Sequence, residues 1–158
     1  MRIAIGCDEA AFEMKEILAA FLREKGFEVI DKGAYDTRPV LYPDIAVDVA
    51  QEILSGNAER GILLCGTGIG MAMAANKVPG IRAAVCHDPF STERSRKSND
   101  AQILCMGARV ITPELAKMLV ALWLECEFAG GGSTAKVERI REYENRFMRG
   151  NGDAADSQ

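Results

Sequence analysis

A cysteine stands at the mouth of a glycine-rich turn. The apolar run Gly61-Ile-Leu-Leu-Cys65 leads into Gly66, Thr67, Gly68, Ile69 and Gly70, and Met71-Ala-Met-Ala-Ala-Asn76 follows. The apolar run reads as a buried strand and the residues after the turn as a helix. Such a turn aims several backbone N–H groups at one point, and the helix behind it adds partial positive charge. Both features favour negative charge on the Cys65 sulfur and on an oxyanion beside it. A sulfur base next to an oxyanion cradle suits enolisation, in which a proton leaves the carbon beside a carbonyl.

Each feature has a plainer reading. Gly66 and Gly68 match the first two glycines of a dinucleotide-binding G-x-G-x-x-G, with Asp88 further along, but Met71 occupies the third glycine's place. The turn also follows the third strand candidate, whereas that fingerprint usually follows the first. Cys65 reads alternatively as a small buried hydrophobe. Asp8 and Glu9 follow the first strand candidate. Glu9 reads as an acid favoured at a helix start, while Asp8 is better placed to hold hydroxyls or shuttle a proton. His87 either lines the rim of a pocket or is structural, and Ser98-Asn99-Asp100 reads as a turn.

The 158 residues, 48% hydrophobic, are enough for one domain, expected over 1–148, with a frayed tail over 149–158. A net charge of −4 without a basic cluster argues against nucleic acid and against an anionic membrane surface. No stretch reaches the ~20 apolar residues of a membrane span. A strand candidate begins at once with Met1-Arg-Ile-Ala-Ile5, so no leader is expected. The five cysteines (Cys7, Cys65, Cys86, Cys105, Cys126) are odd in number and lack metal-ligand spacing, and His87 is the single histidine. That pattern predicts reduced thiols, a cytoplasmic setting, and neither metal nor cofactor.

Strands are predicted over Arg2–Cys7, Phe27–Asp31, Gly61–Cys65, Arg82–Cys86 and Ala101–Met106, all apolar enough for burial on both faces. Helices are predicted over Phe12–Lys25, Pro43–Leu54, Gly70–Asn76, Ser91–Lys97, Pro113–Glu125 and Ala135–Met148. In the first helix Phe12, Ile17, Phe21 and Leu22 form the expected inward stripe, and Gly26 ends it. Alternating strand and helix predicts a parallel α/β sheet, with Asp8, Cys65, His87-Asp88 and Met106-Gly107 gathered at its carboxyl edge. Val137, Ile140, Tyr143 and Phe147 on the last helix form a stripe that suits either a neighbouring chain or its own domain.

Together these residues give the chain a family resemblance. The segments Ile3-Ala-Ile-Gly-Cys-Asp8, Val29-Ile-Asp-Lys-Gly33 and Tyr42-Pro-Asp44 contribute, with Leu64-Cys-Gly-Thr-Gly-Ile-Gly70, Ala75-Asn-Lys-Val-Pro-Gly-Ile-Arg82, Asn99 and Met106-Gly-Ala-Arg-Val110. It resembles the ribose-5-phosphate isomerase B and galactose-6-phosphate isomerase family over nearly its whole length. The resemblance implies a Rossmann-like three-layer α/β/α sandwich on five parallel strands, with a C-terminal helix. It implies dimers or dimers of dimers with active sites between subunits, and metal-free aldose–ketose isomerisation of a sugar phosphate through an enediolate. Cys65 matches the base, the amides of Gly66 to Gly70 the cradle, and Thr67 and Asn99 assisting groups. Asp8 and Tyr42 match sugar contacts. Arg109 matches a phosphate-binding arginine that reaches a neighbouring subunit's site, and Lys136 stands near a second one.

The departures matter equally. The family's Asp-His is here Asp8-Glu9, its His-Asn is Ser98-Asn99, and its Gly-Gly-Arg-His, with a further Arg a few residues on, is Gly130-Gly-Gly-Ser133 and then Lys136. Both histidines linked to ring opening are absent. A tetrose carrying phosphate on O4 cannot close a five-membered ring, so it needs no ring opener. The Ser98-Asn99 and Ala101-Gln-Ile103 pattern resembles a subset of relatives that are erythrulose-4-phosphate isomerases. Ordinary ribose 5-phosphate isomerisation, with His87 as a substitute ring opener, and a non-catalytic subunit of a heteromer are the alternatives.

Overall fold

The computed structural model describes residues 1–149. The tail expected over 149–158 falls, but for its first residue, outside them. Five strands form one parallel sheet in the order β2-β1-β3-β5-β4: β1 (Arg2–Cys7), β2 (Glu28–Asp31), β3 (Arg60–Cys65), β4 (Ala83–Val85) and β5 (Ile103–Gly107). Six helices flank it: α1 (Phe12–Glu24), α2 (Tyr42–Leu54), α3 (Ile69–Ala75), α4 (Pro89–Lys97), α5 (Pro113–Glu125) and α6 (Thr134–Glu144). This is the Rossmann-like sandwich that the alternation and the resemblance predict. Among the described residues, no helix is long and apolar enough to cross a membrane.

The central strands β1, β3 and β5 are buried almost throughout, as apolar runs covered on both faces must be. Full burial fails at the edges. Glu28 of β2 is exposed with the rest of the strand half-buried, and Val85 of β4 is 37% exposed. An edge strand has a neighbour on one side only, and its outer flank carries less cover.

The inward face of α1 also differs from expectation. Met14, Leu18 and Leu22 carry it, with Ile17, Phe12 and Phe21 only partly buried. Lys15 shares that face and is 0% exposed. Its ammonium donates to both carboxylate oxygens of Asp31 at 2.9 and 2.8 Å and to the Ala34 carbonyl at 2.7 Å. A buried charge is tolerated when paired and hydrogen-bonded in this way, and the pair ties α1 to the end of β2.

Pro43 lies in the first turn of α2, where a missing N–H costs nothing. Asp88 caps α4, accepting from the Ser91 N–H at 2.7 Å. α6 gives way at Asn145 to a wider π turn, Asn145–Arg149, short of the expected single helix to Met148. Val137 is buried, whereas Ile140, Tyr143 and Phe147 are 50%, 47% and 72% exposed. The predicted stripe therefore splits, with one residue on its own domain and three facing outward.

Candidate active site

The chain runs from β1 outward to β2 and then returns past β1 to β3, so the winding direction reverses between β1 and β3. Crevices form at such a reversal, beyond the carboxyl ends of the strands. Here the Asp8 N–H donates to the Leu64 carbonyl at 3.1 Å and fixes the two strand ends together. Cys65 ends β3, 6% exposed, with Gly107 as its register partner across β5.

The turn after Cys65 folds back on the sulfur. The Gly68 N–H donates to Cys65 Sγ at 3.0 Å, a hydrogen bond that strengthens as the sulfur gains charge. Gly68 has φ 80°, and a Cβ there would lie 2.9 to 3.1 Å from the Met106 backbone, so only glycine fits. Thr67 is exposed, with Oγ1 accepting from the Ile69 N–H at 3.3 Å. Tyr42, from the start of α2, lays its ring over Gly70, where a Cβ would meet the hydroxyl at 2.7 Å. Cys65, its turn and Tyr42 thus lie side by side.

β5 supports the turn from beneath. The Ala108 N–H donates to the Cys65 carbonyl at 2.9 Å, and the Arg109 N–H to the Gly66 carbonyl at 3.0 Å. A Cβ on Gly107 would sit 2.6 Å from Thr67 Cα. The Arg109 guanidinium lies over Gly66, with Nη1 3.5 Å from where a Cβ would be. In this chain Arg109 therefore lies against its own turn. Its charge also acts on Asp8. Burial and the Glu9 carboxylate push Asp8 above the ordinary carboxylate range, against the pull of the Ala11 and Ala10 N–H groups and Arg109.

Asp8 caps the 3₁₀ turn Glu9–Ala11 through Oδ1, at 3.0 Å from the Ala10 nitrogen and 3.2 Å from that of Ala11. Glu9 Oε2 accepts from the Val40 N–H at 3.2 Å, which favours its structural reading. His87 Nε2 accepts from the Gly107 N–H at 2.9 Å. Three candidates stand elsewhere. Asn99, at the end of α4, lines a cavity of about 470 Å³ against β4, with Arg82, Arg94 and Ile140 and with no residue of the glycine turn. Ser98 Oγ accepts from Arg94 Nη1 at 3.4 Å. Lys136 is exposed on α6, one turn before Ile140. Sequence reasoning missed the fit of Gly107 and the burial of Lys15. The glycine that ends the fifth strand run was the only available signal for the first.

Residues 3–140 match the family described as ribose/galactose isomerase. The chain belongs to this family. Among similar ribose/galactose isomerase family proteins, one from Listeria innocua named ribose-5-P isomerase B is 53% identical over 92% of this chain and 99% of its own. D-erythrulose-4-phosphate isomerase of Pectobacterium atrosepticum is also 53% identical, over 92% and 97%. The solved structure of Clostridium thermocellum ribose-5-phosphate isomerase B superposes with a TM-score of 0.92 at 46% identity, covering 93% of this chain and 99% of that one.

Proposed function

We propose that this family member is an aldose–ketose isomerase acting on a short, open-chain sugar phosphate, with erythrose 4-phosphate and erythrulose 4-phosphate as its pair. The Cys65 thiolate takes the proton from C2 of the aldose. The C–H electrons form the C1–C2 double bond, and the carbonyl electrons settle on O1 as an enediolate. Turn amides between Gly66 and Gly70 stabilise that oxyanion. The thiol returns the proton to C1, a proton passes from O2 to O1, and the ketose leaves. Asp8 and Tyr42 hold hydroxyls, and Arg109 takes the phosphate through charge-assisted hydrogen bonds.

One observation carries the substrate: side chains that could open a sugar ring are engaged elsewhere. Glu9 holds the Val40 N–H, Ser98 stands at the end of α4 against Arg94, and His87 Nε2 holds the Gly107 N–H. A tetrose 4-phosphate needs no such group. The 53% identity to an erythrulose-4-phosphate isomerase agrees, while equal identity to a ribose-5-P isomerase B keeps ribose 5-phosphate as the second reading. The outward Ile140, Tyr143 and Phe147 suit a second copy of the chain, whose Asn99 and Lys136 would complete the site.

The test is kcat/KM for erythrose 4-phosphate beside ribose 5-phosphate, together with exchange of the aldose's C2 proton in heavy water. Preference for the tetrose supports the proposal, and preference for the pentose overturns its substrate. Exchange that survives Cys65→Ala removes the base. An absence of exchange on any sugar phosphate would leave the non-catalytic subunit.

A further inference from the structure

We infer that His87 is a positioning residue for the isomerisation: its imidazole, hydrogen-bonded to the Gly107 N–H, holds the end of β5 against the glycine turn and does not touch substrate. The inference rests on the isomerase reading but goes beyond it, by assigning the single histidine to the scaffold of the cradle.

The geometry begins in the strand register. Val85 pairs with Cys105, and two residues further along both chains bring His87 beside Gly107. By then β4 has ended and the chain is turning into α4. The Gly107 N–H points toward the side β4 has vacated, while the next amide, Ala108, points to β3 and the Cys65 carbonyl. Gly107 is buried, so its N–H needs a partner within the protein. His87 Nε2 supplies it at 2.9 Å, where a strand would have supplied a carbonyl.

Accepting that bond puts the imidazole proton on Nδ1 and requires a neutral ring. Burial pulls His87 below its ordinary value, only partly offset by the adjacent Asp88 carboxylate, which favours the neutral form. What the bond holds is close to the chemistry. Gly107 lies directly across from Cys65 in register, against Thr67, and its neighbours Ala108 and Arg109 hold the Cys65 and Gly66 carbonyls. A shift of β5 here carries the turn with it. With Nε2 held by the strand, any other partner of His87 has to be met through Nδ1.

The test compares His87→Met, which removes the acceptor, with His87→Gln, whose side-chain oxygen reaches a similar place. Steady-state kinetics, thermal melting and NMR hydrogen exchange at the Gly107 amide are read on the full chain. We expect His87→Met to lower kcat by about tenfold to a hundredfold, with KM nearly unchanged and faster Gly107 exchange. His87→Gln restores kcat and Gly107 protection to near the wild-type level. Wild-type kcat in the Met variant overturns the inference. So does a Gln variant as impaired as Met, because the imidazole itself would then be needed. If His87→Met fails to fold, His87→Leu replaces it as the variant without the acceptor, read against His87→Gln in the same way. If the wild-type protein isomerises no sugar phosphate, the isomerase reading fails, while Gly107 exchange still reports whether His87 holds the strand.

Discussion

Gly107→Ala is the most direct probe of how tightly the cradle is fitted to the sheet. The added methyl would lie 2.6 Å from Thr67 Cα, 2.7 Å from Thr67 C and 2.8 Å from the Gly66 oxygen. Carbon atoms pack at about 3.5–4.0 Å, so the turn must retreat by about 1 Å. All three obstacles are backbone, and no side-chain rotation relieves them. A displacement of about 1 Å in a reacting group costs about a hundredfold in rate, or about 2.7 kcal/mol at about 1.36 kcal/mol per tenfold. Overpacking also lowers stability by about 1–3 kcal/mol, and each kcal/mol lowers Tm by about 2–4 °C in a chain of this size.

Gly61→Ala is the control, since its methyl meets Val49 Cγ1 at 2.8 Å and Ile53 Cδ1 at 3.1 Å, both side-chain ends, near the start of β3. It should lower Tm and leave kcat near wild type. Proton exchange at C2 in heavy water measures the chemical step, and calorimetry measures Tm. Wild-type exchange in Gly107→Ala, or an equal loss in Gly61→Ala, would refute the claim that this contact sets the geometry of the site.

Two further outcomes are expected. Lys15→Met leaves Asp31 facing a buried gap with no countercharge. Breaking a fully buried pair costs about 3–5 kcal/mol, and because Asp31 is 23% exposed and partly relieved by water, about 2–3 kcal/mol is expected in urea melts. A loss under about 1 kcal/mol would show that the pair is not holding α1 to β2. Light scattering should give twice the 17.1 kDa of the chain, falling to one chain in Tyr143→Glu, Phe147→Glu. A double variant that stays dimeric would exclude the α6 face as the contact.

The sheet was legible because its centre is apolar on both faces, and runs such as Ile62-Leu63-Leu64 have no other stable place. The Cys65 turn was legible because cysteine, three glycines and a following helix leave few backbone paths. Lys15 was not. Lysine reads as surface, and only the fold brings Asp31 and the Ala34 carbonyl within 3 Å of its ammonium. His87 was open to several readings for the same reason: its partner is a backbone N–H twenty residues away, and backbone donors leave no mark on side-chain pattern. The inward face of α1 was misjudged because large aromatics outweighed the i, i+4 series Met14, Leu18, Leu22, which the helix in fact turns inward.

The candidate site divides along the same line as the fold. Cys65, its turn, Asp8 and Arg109 hang from the carboxyl ends of the buried central strands and the loops that leave them, tied together by backbone hydrogen bonds of 2.9 to 3.1 Å. Enolisation needs that rigidity, because base and oxyanion donors must hold their separation to a fraction of an ångström. Asn99, Ser98 and Lys136 belong instead to the end of α4 and to α6, beside the edge strand. A ring opener has to reach the ring oxygen, further along the sugar than C2, and of the two absent family histidines one would stand at Glu9 and the other at Ser98, on that outer layer. On the proposed function, a change at residue 98 alters which sugars are used and leaves the contacts of the glycine turn in place. If that proposal holds, the tetrose-to-pentose ratio depends more on residue 98 than on Cys65. Ser98→His should raise kcat/KM for ribose 5-phosphate while C2 exchange on the tetrose stays the same, and an equal change on both sugars would break the division.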